Sequence, residues 1–233
     1  MTAFVLVHGA WGGSYGWRKL RPLLAANGHE VYTPSLTGLG ERAHLTSPQV
    51  DLSLHVQDVV NAIWYEDLKD ITLVGYSYGG MVVTGAIDYV ADRVKHLVYL
   101  DAFLPNDGQA LQGLATDLPE SFPGPNWLVE PMARDYDDPA DAAFATPRRA
   151  LQPRACFVEP VRLRQPLEGR DFSLTYIKST GEPRPEGGGG PFWQAADRTR
   201  KNPRWRYFEI ATNHMVAFNK PQELADILLE VSQ

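Results

Sequence analysis

"ITLVGYSYGGMVVTGAIDYV", residues 71–90, runs from an apolar stretch, through a serine set among glycines, into a second apolar stretch of helical period. Residues 71–77 read as a buried strand, and the residues after Gly79 as a helix behind it. At the junction, residues 75–79 match G-x-S-x-G. Turning from strand to helix in so few residues forces Ser77 into strained backbone geometry and exposes its hydroxyl. Gly75 and Gly79 remove side chains that would strike the neighbouring strand and helix. The hydroxyl then stands at a helix N-terminus, where free N–H groups and the dipole favour developing negative charge. Ser77 is expected to be a nucleophile.

Outward from this point, short apolar runs alternate with stretches of helical period. Strands are predicted at 3–7, 30–34, 94–101, 172–177 and 204–210 as well as at 71–77. Helices are predicted at 17–28, closing on Gly28, and at 53–66, with Leu54, Val59, Ile63 and Trp64 near one face. Further helices are predicted at 79–93, around Trp193, and from Pro221 to the end. Continuous apolar strands, each followed by a helix, predict an α/β fold: a mostly parallel six-stranded sheet with helices on both faces. The alternation breaks between Asp101 and Phe172, a proline-rich stretch carrying Phe122, Trp127, Tyr136 and Phe144. Residues 102–171 are therefore expected to form an inserted cap on a single domain, 1–233. The glycine run 187–190 is expected to be a flexible loop without chemistry.

Composition narrows the function classes. The 233 residues are 44% hydrophobic and 21% charged, ordinary globular values that exclude wholesale disorder. A net charge of −6 argues against a nucleic-acid binder, and the basic stretch 198–206 reads as a solvated helix end and turn. One cysteine, Cys156, rules out an internal disulfide and fits a reducing compartment. No secretory leader and no membrane-length apolar run are legible, so a cytoplasmic protein is expected. Clustered metal ligands are absent, and Gly38 and Gly40 form neither a P-loop nor a dinucleotide fingerprint. Neither metal nor cofactor is expected.

A serine hydroxyl is a weak nucleophile and needs a base. Of six histidines, His214 lies just past the sixth predicted strand and before the last helix. That places it on the same sheet edge as Ser77, in the chain order serine, acid, histidine. His29, His44, His55 and His96 read as surface or structural. Two carboxylates follow strands at that edge, Asp101 in "HLVYLD" and Glu182 in "YIKSTGEP". Asp101 is preferred as the acid because a buried strand beside the nucleophile's own would hold it rigidly. Glu182, between glycine and proline, is the alternative. "HGAWGG", residues 8–13, has glycines that let backbone N–H groups face inward, so Ala10 and Tyr78 N–H are expected to form the oxyanion hole. Trp11, Phe103, Trp127 and Met215, with Tyr78, are the expected apolar substrate contacts.

Four stretches carry a resemblance: "FVLVHGAWGGSYGW" (4–17), "PSLTGLGER" (34–42), "LVGYSYGGMV" (73–82) and "NHMVAFNKPQELADIL" (213–228). With them the sequence resembles the α/β-hydrolase fold, in the branch of plant hydroxynitrile lyases, plant methyl esterases and bacterial carboxylesterases. The resemblance implies a mechanism with a Ser77–His214–carboxylate triad, and its usual acid position favours Glu182. Tyr76 departs from the histidine common before the nucleophile in that branch. The lyases' lysine and threonine correspond here to Met215 and Gly9, which match the esterase side. The expected function is serine-dependent hydrolysis of carboxylic esters of small apolar or aromatic compounds, through an acyl-enzyme. The alternatives are a lactonase, thioesterase or biosynthetic tailoring enzyme, or a ligand-binding protein with little turnover. The expected partner is a small-molecule ester, with no nucleic acid and no membrane; a homodimer is allowed.

Overall fold

The computed structural model describes residues 2–115, 127–185 and 189–233. Phe122 and the glycines at 187 and 188 lie outside the described residues. Strand and helix alternate through β1 (Ala3–Val7), α1 (Leu20–Ala26), β2 (Glu30–Tyr32), α2 (Leu52–Tyr65), β3 (Ile71–Tyr76), α3 (Gly79–Val90) and β4 (Val94–Leu100). Short elements then intervene: α4 (Leu111–Leu114), β5 (Leu128–Val129), α5 (Pro139–Ala145), β6 (Gln152–Pro153) and α6 (Ala155–Val158). Alternation resumes with β7 (Ser173–Ser179), α7 (Pro191–Arg200), β8 (Trp205–Ile210), α8 (Val216–Asn219) and α9 (Pro221–Val231).

Six strands form one sheet in the order β2-β1-β3-β4-β7-β8, every pair parallel. Its two faces bury different residues of the same strands, as the two-residue period of a strand requires. Phe4 and Leu6 of β1 join Leu20 and Leu24 of α1 and Leu224 and Leu228 of α9 in one core. Val5 and Val7 join Val59 and Ile63 of α2 and Val82 and Ala86 of α3 in the other. Helices thus cover both faces, and the strands read as unbroken apolar runs because neither face meets water.

One detail of the predicted helix faces is corrected. The buried stripe of α2 is Leu52, His55, Val56, Val59 and Ile63, whereas Leu54 is 37% and Trp64 61% exposed. Leu54 lies five residues from Val59, about 140° around a helix of 3.6 residues per turn, so the two cannot share a face. Trp64 instead receives the Arg93 guanidinium over its ring at 4.8 Å.

All six strands run the same way, so the residues that follow β1, β3, β4, β7 and β8 gather at one edge. The segment between β4 and β7 reaches the loop after β1 through Trp11. Its N–H donates to Gln152 Oε1 at 2.8 Å and its indole N–H to the Val129 carbonyl at 3.1 Å, while Ala150 N–H donates to the Trp11 carbonyl at 3.1 Å. Among the described residues, no helix is long and apolar enough to cross a membrane.

Candidate active site

Ser77 sits between β3 and α3 with φ of 55°, in the left-handed region that a non-glycine residue seldom adopts. Its neighbours make room for the turn. A Cβ at Gly75 would lie 2.6 Å from Val83 Cγ2 and 2.7 Å from the Gly79 carbonyl oxygen. One at Gly79 would lie 2.6 Å from the Val7 carbonyl oxygen. The turn is clamped to the next strand, Ser77 N–H donating to the Leu100 carbonyl and Phe103 N–H to the Ser77 carbonyl, both at 3.2 Å.

The Ser77 Oγ lies 2.9 Å from His214 Nε2, and His214 Nδ1 lies 2.6 Å from Asp101 Oδ2. All three side chains are buried. With Asp101 ionised, Nδ1 carries the proton it donates to the carboxylate, which leaves Nε2 as the acceptor for the serine hydroxyl. The imidazole is held by more than that pair. Its ring packs against Tyr76 and Phe192, each centroid 4.9 Å away, with Phe192 stacked nearly parallel at 11°. The Tyr76 hydroxyl donates to the His214 carbonyl at 2.7 Å.

Asp101 directly follows β4, with φ of 40°. It receives Lys178 Nζ on Oδ1 at 2.7 Å and the Ser179 hydroxyl on Oδ2, both from β7. Burial by itself would raise its pKa, but the hydrogen bond and charge of His214, with the Lys178 ammonium, hold it down at about 2. Burial lowers the pKa of His214 below that of an ordinary histidine, against the pull of Asp101. A neutral imidazole beside an ionised carboxylate results.

Glu182 meets the histidine at its backbone N–H. Its Oε1 accepts from His214 N–H at 3.3 Å, and no contact joins its carboxylate to the imidazole among the described residues. His8 is buried and neutral, its pKa lowered to about 4 by burial. Its ring accepts from Leu36 N–H at 3.1 Å and bonds the Gly9 carbonyl at 2.8 Å, which shapes the loop after β1. In that loop Trp11 adopts φ of 61°. Neither Ala10 N–H nor Tyr78 N–H has an acceptor among the described residues.

Two chambers open on Ser77. The larger, about 240 Å³, is lined by Trp11, Phe103, Leu111, Phe157, Phe192 and Trp193 among others. The tighter one includes His214, Met215 and Tyr76. Trp11 and Phe103 therefore border the larger chamber and Met215 the smaller, while Trp127 lines neither. The Tyr78 side chain points into the core, its hydroxyl 2.9 Å from His55 Nδ1. Sequence reasoning missed Lys178, Ser179, Phe192, Arg134 and Arg149. Of these only Lys178 left a signal, a cation inside an otherwise apolar strand. Among the described residues there is no group of histidine, cysteine and carboxylate side chains that could hold a metal ion.

A serine on a strand-to-helix elbow, backed by histidine and carboxylate at the C-terminal edge of a parallel sheet, places the molecule among hydrolase-type α/β proteins. The chain belongs to the alpha/beta hydrolase family, whose model matches residues 4–227. It is 49% identical over 123 residues to the carbendazim hydrolyzing esterase of Nocardioides sp. (strain SG-4G), across 53% of this chain and 50% of that protein. It is 31% identical over 128 residues to salicylic acid-binding protein 2 of Nicotiana tabacum, across 54% of this chain and 48% of that one. The matched stretches thus span about half the length of these relatives. In structure it resembles an extracellular alpha/beta-hydrolase from a Paenibacillus species, with TM-score 0.80, 24% identity and 99% of each chain covered.

Proposed function

We propose that this protein is a serine esterase that cleaves carboxylic esters of small molecules through an acyl-enzyme. The observation that carries the reading is the hydrogen-bonded series from Ser77 through His214 to Asp101, at 2.9 and 2.6 Å. The esterase relative of Nocardioides, 49% identical over its matched stretch, supports it.

In this mechanism neutral His214 takes the Ser77 proton as Oγ attacks the ester carbonyl. Asp101 keeps the imidazole in the tautomer that can accept and stabilises the cation that forms. Ala10 and Tyr78 N–H, both without an acceptor among the described residues, receive the oxyanion; a donor of this kind contributes about two to three orders of magnitude in kcat. His214 returns its proton to the departing alcohol. Water, activated by the same histidine, then releases the acid.

The apolar chamber beside Phe103 and Phe157 takes the acyl group. The described residues of 102–171 act as the cap that closes it, docked on Trp11 through Gln152 and Val129. A single buried cysteine is consistent with a cytoplasmic setting.

The test is turnover of p-nitrophenyl esters of increasing acyl length by wild type and Ser77→Ala. Ser77→Ala is expected to cost about six orders of magnitude in kcat, as in a triad knockout of an unrelated protease. Silence of the folded wild type across the series would overturn the esterase reading.

A further inference from the structure

The two chambers at Ser77 differ in charge: Glu182 and Lys178 line the larger one, whereas the tighter one is lined by two arginines and by no carboxylate among the described residues. Arg134 borders both, and Arg149 borders the tighter one together with Tyr15, Tyr76 and Tyr136. Neither arginine has a carboxylate within 4.0 Å among the described residues. Asp141 is held by Lys19, Asp138 caps α5 and Glu182 accepts from the His214 N–H, while Asp135 and Asp137, close to Arg134 in the chain, are exposed and make no ion pair among the described residues. Arg149 donates to the Met132 carbonyl and lies 5.6 Å from the Trp11 ring. Arg134 makes no hydrogen bond among the described residues. Both are partly buried. Burial, and then the neighbouring charge of Arg134, weigh against the Arg149 cation.

Two partly buried guanidinium groups facing one chamber without a counter-ion are unfavourable by themselves, and an anion between them removes the penalty. The side of the ester they meet follows from the proton transfer. The leaving alcohol must lie against His214 to receive its proton, and His214 lines this chamber and not the larger one.

We propose that the chamber of Arg134 and Arg149 receives the alcohol half of the ester and binds a carboxylate carried on it. The substrates are then esters of a carboxylate-bearing hydroxy compound with an apolar acyl group. This rests on the esterase reading and narrows its substrate class.

The test compares 4-butyryloxybenzoate with 4-butyryloxybenzamide, which share the acyl group and ring and differ in charge. Each kcat/KM is divided by the rate of the same ester with hydroxide. Wild type is expected to prefer the carboxylate by about tenfold or more, the effect of a charge-assisted hydrogen bond. The preference should shrink as salt approaches about 1 M, which screens exposed charge. In Arg134→Met, a variant that gives up no hydrogen bond among the described residues, the ratio should fall toward one. Arg149→Met should act likewise if circular dichroism finds it folded. Equal use of both esters by wild type, or turnover of p-nitrophenyl esters alone, would overturn the proposal and leave the esterase standing. No turnover of any ester would overturn both.

Discussion

Lys178 Nζ lies 2.7 Å from Asp101 Oδ1, and both side chains are almost wholly out of solvent. The lysine comes from β7 and the aspartate directly follows β4, so the pair ties two neighbouring strands at the edge where the site forms. Lys178 also donates to the Ser179 carbonyl and sits 4.6 Å from the Trp193 ring. Removing one partner of such a pair leaves the other charge buried without compensation. Lys178→Met is expected to cost about 3 kcal/mol or more of stability, read from urea unfolding. It should also raise the pKa of Asp101, and a variant as stable as wild type would contradict the arrangement.

The two carboxylates can be told apart by activity. Asp101 hydrogen-bonds the imidazole, whereas Glu182 hydrogen-bonds the backbone N–H of His214. Asp101→Asn should lower kcat by about four orders of magnitude, since the amide favours the wrong tautomer of the histidine. Glu182→Gln, which keeps a hydrogen-bond acceptor, should stay within about threefold of wild type. The reverse ranking in steady-state assays would transfer the acid's role to Glu182.

Stability should fall in acid for an identifiable reason. The pKa of His8 is lowered to about 4, and burial also lowers those of His55 and His214. These histidines are neutral when folded and bind protons more readily when unfolded. Their contribution is therefore complete above the unfolded pKa of 6.5 and is lost as the pH falls from there toward about 4. His8 alone accounts for about 3 kcal/mol of that loss. Asp101, held at about 2 against an ordinary 3.8, adds a second loss as the pH falls below 3.8 toward about 2. Urea midpoints measured from about pH 7.5 down to about pH 4.5 check the first window. A flat profile there would refute it.

The acid limb of kcat/KM follows from the same shift. His214 must be neutral to accept the Ser77 proton, and its pKa is below the ordinary 6.5. Half-maximal activity on the acid side should therefore fall below pH 6.5, and a limb above it would contradict the burial of the imidazole.

Packing at the elbow is tested by Gly79→Ala. The new methyl would meet the carbonyl oxygens of Val7 and His8 at 2.6 and 2.9 Å, and backbone cannot swing aside as a flexible side chain can. A loss of about 1–3 kcal/mol, with reduced turnover as Ser77 shifts, is expected from thermal unfolding and assay.

Much of this was legible beforehand because it depends on short-range chemistry. Apolar runs of strand length alternating with helical stretches specify a parallel sheet wrapped on both faces, and the glycines around Ser77 announce an elbow. Since every strand of such a sheet ends at one edge, Ser77, Asp101, Glu182 and His214 could all be assigned to that edge from order alone. Chain order could not decide which carboxylate faces the imidazole, because that choice is a matter of angles among three strand ends. Nor could periodicity read by eye phase α2, where Leu54 and Trp64 face outward. Lys178 beneath Asp101, Phe192 against His214 and the two arginines beside Ser77 are joined across 77, 22 and at least 57 positions of chain. Apart from the oddity of a lysine inside an apolar strand, contacts of that reach leave no local pattern. They exist only once burial removes water and obliges each charge to find a partner or face a ligand.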